Sequence, residues 1–131
     1  MNATFSFTKL VVHDLEKQAA FYRDVYGLHA VQRVQAEIGS EAIDEIMLSS
    51  DPSAPFGSLV LLKFLPRAPA QQGELILGFV TDDLPALLDR VRAAGGRIHA
   101  PAKEMPELKL RVAFATDPEG HMAEIVQMVS A

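Results

Sequence analysis

Apolar residues fall along this chain in two kinds of spacing, and the order of the two kinds occurs twice. Residues 4–12, Thr-Phe-Ser-Phe-Thr-Lys-Leu-Val-Val, are aromatic and β-branched and predict a strand. From Asp14, a good N-cap, Leu15, Ala19, Tyr22 and Tyr26 recur at helical spacing. Phe21 and Val25 widen that stripe, and Gly27 supplies a stop. Residues 28–38 read as extended, and 42–49 as an apolar strand carrying Asp44 and Glu45. Residues 51–57 read as a Pro- and Gly-containing loop, and 58–65 as a strand. After a polar connection at 66–73 the pattern restarts. Residues 74–80 predict a strand, and Asp83 caps a helix with Leu84, Leu87, Leu88, Val91 and Ala94 on one face. Gly95 and Gly96 end it. Residues 97–100 are short and extended. Strands at 108–116 and 122–128 are joined by a turn at Asp117-Pro118-Glu119-Gly120.

The two halves match in spacing as well as in order. Asp14 to Gly27 and Asp83 to Gly96 each span thirteen residues, and Gly57 to Leu61 and Gly120 to Glu124 are each four apart. Each half reads β-α-β-β-β. One such unit cannot bury both its helix and its sheet. The expectation is therefore a single α+β domain of half-modules 4–65 and 74–129 with linker 66–73. Its tandem βαβββ repeats would form a curved eight-stranded sheet around a cleft.

Composition narrows the chemistry. The chain has 131 residues, 49% hydrophobic and 22% charged, enough for a real core. Its net charge of −5 and pI near 5.3 argue against a nucleic-acid surface, which needs clustered Lys and Arg. The absence of cysteine excludes disulfides, thiol nucleophiles and cysteine zinc sites, and suits a cytoplasmic setting. Neither a signal peptide nor a membrane span is expected.

The motifs Val12-His13-Asp14-Leu15, Ala20-Phe21-Tyr22, Gly27-Leu28, Phe79-Val80-Thr81-Asp82-Asp83-Leu84, Ala94-Gly95-Gly96 and Asp117-Pro118-Glu119-Gly120, followed by Glu124, resemble the vicinal oxygen chelate superfamily. That superfamily includes glyoxalase I, extradiol dioxygenases and the bleomycin- and fosfomycin-resistance proteins. The resemblance runs from about residue 5 to 128. It implies four ligand positions on inner strands, commonly His and Glu, holding a divalent metal. Carried over, these fall on Phe7, Leu61, Leu75 and Glu124, of which only Glu124 can ligate. No metal or other cofactor is therefore expected. The resemblance also implies a homodimer and a small-molecule ligand or substrate.

Glu124 is the candidate catalytic residue. Among apolar neighbours such as Phe7, Leu61 and Leu75 it could act as a general acid or base. Alternatively it is a relic carboxylate paired with Lys9, Lys63 or Arg111. Phe7, Lys9, Leu61, Lys63, Leu75, Leu77 and Arg111 are the candidate ligand-binding residues, the apolar ones serving equally well as core. Asp44 and Glu45 must face opposite sides of their strand. His13 and His121 are expected at the surface, with no histidine a ligand. Two functions follow: a metal-free binder of a small organic molecule in an apolar cleft, or a glyoxalase I-like lyase or isomerase or extradiol-type dioxygenase using Glu124.

Overall fold

The computed structural model describes residues 5–54, 57–69 and 75–129. Its elements are β1 (Thr8–Val11), α1 (Leu15–Tyr26), β2 (His29–Ile38), β3 (Glu41–Ser49), β4 (Leu59–Phe64), β5 (Ile76–Val80), α2 (Leu84–Ala93), β6 (Arg97–Met105), β7 (Leu110–Thr116) and β8 (Met122–Met128). The βαβββ order occurs twice, and all eight expected strands are present. Thr4, Glu74 and residues 70–73 of the expected linker lie outside the described residues.

The helices start where side chains replace missing backbone partners. The Asp14 carboxylate accepts from the Lys17 N–H at 3.0 Å, and Asp83 accepts from the Ala86 N–H at 3.1 Å. At the end of α1, Gly27 takes φ 71°, the left-handed conformation that lets its N–H return to the helix carbonyls. β6 is longer than expected. It continues past Pro101 because it is an edge strand, and its register shifts between Ala100 and Lys103.

The described chain forms two compact units. The first holds the residues as far as 69 apart from 24–26. Its sheet has the order β1-β4-β3-β2, with β1 parallel to β4 and the other pairs antiparallel. Leu10, Ile46, Leu48, Leu59 and Leu61 share one face by register and are buried, as are Leu15, Phe21 and Tyr22 of α1. The second unit holds Asp24–Tyr26 and the residues from 75 on, with sheet order β5-β8-β7-β6 and the same pairing directions. Buried Leu84, Leu87, Leu88 and Val91 of α2 pack toward Ala113, Ala115, Ala123 and Ile125, and the alanines let the helix lie close. Each such helix side chain contributes roughly 1.5–3 kcal/mol. The Tyr26 ring stacks on Phe79 at 3.8 Å, and burial, with Asp117 adding to it, pushes the Tyr26 hydroxyl pKa upward.

The outer strands β2 and β6 are both irregular. β2 slips register between Ala30 and Gln32, and β6 slips at Ile98/Ala100 as well as after Ala100.

Candidate functional site on the sheet faces opposite the helices

Pleating sends alternate residues of a strand to opposite faces, so the register decides which side chains meet. In the first sheet Lys9, Val60, Met47 and Gln32 are paired in one row across β1, β4, β3 and β2. With Phe7 and Gly57 they line a hollow of about 300 Å³. Val60 is buried, and Phe7 is half exposed. Gly57 is obligatory here: a Cβ would lie 2.5 Å from the Leu48 carbonyl oxygen and 2.6 Å from its nitrogen. One row along, Glu45 of β3 pairs with Leu62 and points to the same face. Its carboxylate lies 3.0 Å from the Lys9 Nζ, and the Glu45 side chain is 5% exposed against 36% for Lys9. Lys9 also lies 5.8 Å from the Phe7 ring centre, within cation–π range.

The equivalent row of the second sheet is Gly78, Glu124, Phe114 and Ala100. Ile76, Val80, Met122, Val126 and Val112 share its face by register. Glu124 is half-buried there and has no ion-pair partner among the described residues.

The registers split the sequence-predicted residues. Phe7 and Lys9 come together on the hollow. Leu61 and Lys63 lie on the other face of β4, with Leu10, Ile46 and Asp44, where α1 packs. Leu61 is fully buried, and Lys63 borders a shallow depression with His13, Asp14 and Glu16 at the start of α1. In the second sheet Leu77 pairs with Ala123, and Arg111 with Gln127. Gln127 accepts from the Leu84 N–H, so this is the face toward α2, and Leu75 has the same parity. Leu75, Leu77 and Arg111 therefore do not share the face of Glu124. Lys9 and Arg111, expected as its partners, hold Glu45 and Glu104 instead.

The cause is a one-residue difference between the halves. Lys9 and Gly78 both lie five residues before their helix caps, and their partners are Val60 and Glu124. Gly57 to Val60 is three residues, whereas Gly120 to Glu124 is four. Counting from the glycines therefore lands on Leu61, one residue past the equivalent position. By the helix caps, the counterpart of Phe7 is Ile76, not Leu75.

Two further polar groups were not found by sequence reasoning. His121, expected at the surface, is buried with Asp117, its Nδ1 2.7 Å from the carboxylate. The other Asp117 oxygen accepts from the Glu119 and His121 N–H groups, so this carboxylate organises the whole turn. The Asp-x-x-x-His spacing across a turn was the available signal. On the α1 side of the first sheet, Arg33 holds Asp44 with two hydrogen bonds of 3.1 and 2.8 Å and also pairs with Glu16. The guanidinium keeps the Asp44 carboxyl below its usual pKa. Asp44 and Glu45 do face opposite sides, each with its own cation.

The sequence profile of the glyoxalase/bleomycin resistance protein/dioxygenase superfamily matches residues 4–125. The chain belongs to this superfamily. Within it, a probable lactoylglutathione lyase from Vibrio parahaemolyticus is 24% identical over 96% of this chain and 91% of its own length. A glyoxalase family protein from Bacillus cereus superposes with a TM-score of 0.82 at 17% identity, covering 95% of this chain and 93% of that one. A glyoxalase I mutant from Zea mays gives 0.75 at 20% identity over 93% of this chain. This chain spans about half the length of the maize protein, 46%. Among the described residues no helix is long and apolar enough to cross a membrane.

Metal-dependent members of the superfamily need several donors on these strand faces. The equivalent positions here are Phe7 and Val60 in the first sheet and Ile76 and Glu124 in the second. Three are hydrocarbon side chains with no lone pair, and a selective divalent site usually takes three or more protein ligands. Among the described residues no three His, Asp or Glu side chains gather as a metal would require. This donor set does not fit the superfamily's metal.

Proposed function

We propose that this superfamily member binds a small, largely apolar organic molecule in the hollow of the first sheet, without a metal. The observation that carries this reading is the row Lys9–Val60–Met47–Gln32 with Phe7 beside it. It combines a ring, a thioether and methyl groups with two polar tips, the usual make-up of a small-molecule site. The hydrocarbon side chains at Phe7, Val60 and Ile76 support the metal-free part.

Met47→Trp tests the binding reading, since a bulky ring would fill the hollow from a half-buried position. Wild-type protein should bind 2-naphthylmethanol with one-to-one stoichiometry and rise in melting temperature, as native-state ligands do. Met47→Trp should lose both effects while keeping its circular dichroism. Unchanged binding in this variant would move the site elsewhere. Elemental analysis of protein purified without chelator tests the second part, and one equivalent of a transition metal would refute it.

A lyase or isomerase reading is favoured by one observation, the similarity to the Vibrio protein named a probable lactoylglutathione lyase. In that reading Glu124 moves a proton next to a substrate carbonyl. Glu124→Gln keeps the shape and removes the base. Full turnover by this variant, in an assay where the wild type is active, would eliminate that role.

A further inference from the structure

The hollow carries one charged group among its described lining residues, the Lys9 ammonium. Its counter-ion, Glu45, lies beneath it with a side chain only 5% exposed, whereas Lys9 is 36% exposed. An incoming molecule therefore meets the cation and not the acid. An ammonium has three N–H donors. Glu45 takes one at 3.0 Å, and the Phe7 ring face attracts the same charge. Gln32, at the other end of the row, offers an amide. From these contacts we infer that the ligand is an organic acid: a flat apolar body lying over Val60 and Met47, with its carboxylate on Lys9. This rests on the hollow being the binding site, and it adds the charge class of the ligand. Glu45 has a second role here. It holds Lys9 in place, and it competes with the ligand's carboxylate for the same ammonium.

The test uses two probes of one shape, 2-naphthoate and 2-naphthylmethanol, titrated calorimetrically into the full chain. Wild-type protein should bind the acid about tenfold more tightly than the alcohol, as one charge-assisted hydrogen bond allows. Lys9→Met combined with Glu45→Gln, which leaves no buried unpaired charge, should erase that preference, so that the acid and the alcohol bind with equal affinity. Glu45→Gln alone should strengthen naphthoate binding several-fold by removing the competitor. Equal affinities in the wild type, or a preference that survives loss of Lys9, would overturn the inference while leaving the hollow intact as a site. Failure of both probes to bind would overturn the site and this inference together.

Discussion

The two sheets are built to one plan and distribute charge in opposite ways. In the first, the central position of the key row is Val60, and the charges stand at its flanks as a joined pair, Lys9 and Glu45. In the second, the acid occupies the centre as Glu124, and its row and neighbours are Gly78, Phe114, Ala100, Val112 and Val126. A buried carboxylate with a cation beside it is a structural fixture, since separating them strands a charge. Glu124 has no such partner among the described residues and so carries no such constraint. Duplicated strands can thus keep their register while one half pairs its acid with a cation and the other, among the described residues, does not.

Substitutions can sharpen or break this contrast. The largest effect is expected at the turn into β4. Gly57→Ala forces a methyl group into the Leu48 backbone and should cost about 2–3 kcal/mol in urea denaturation. Next, Lys9→Met leaves Glu45 buried without its cation. Because Lys9 is itself partly exposed, the loss should be about 1–2 kcal/mol. In the second half the glycine before the last strand is required for a different reason. Gly120 has φ 96° and open space around its Cβ position. Gly120→Ala should therefore cost only about 1 kcal/mol through backbone strain, and Gly120→Asn should recover part of it. Equal losses at Gly57 and Gly120 would contradict these separate causes.

Asp44 of the first sheet should also give a pH signature. Arg33 depresses the Asp44 pKa in the folded state, so this contribution to stability is complete above the unfolded value of about 4. It is lost as pH falls below that value, through the folded pKa. Thermal unfolding followed from pH 6 downward should show the loss, and Asp44→Asn should flatten the acid limb. The smallest effect is expected at Glu124. Glu124→Gln should change stability by no more than about 0.5 kcal/mol. A cost matching that of Lys9→Met would mean that Glu124 is anchored after all, and the contrast between the sheets would collapse.

The helices and the duplicated order were readable because Asp14, Gly27, Asp83 and Gly95 mark their ends and the apolar stripes between them are periodic. The faces of the strands were less legible. Leu59, Val60, Leu61 and Leu62 are all buried, so β4 lacks the alternation that would reveal its orientation. Only its parallel pairing with β1 turns Val60 rather than Leu61 toward Phe7. The Lys9–Glu45 pair was hidden for another reason. Its members are 36 residues apart, on β1 and β3, and they meet only because β4 lies between those strands. Strand alternation put Lys9 on the face of Phe7, and both do line the hollow.

The slipped registers of β2 and β6 have a consequence for how copies of this protein can stack. Each is the outermost strand on its side of a four-stranded sheet, where open hydrogen-bonding groups could recruit a neighbouring chain. A straight ladder of identical strands needs uninterrupted pairing, and the slips at Val31 and around Pro101 deny it. The polypeptide thus carries its own guard against fibril growth along these two borders, and mutations that straighten either strand would remove it.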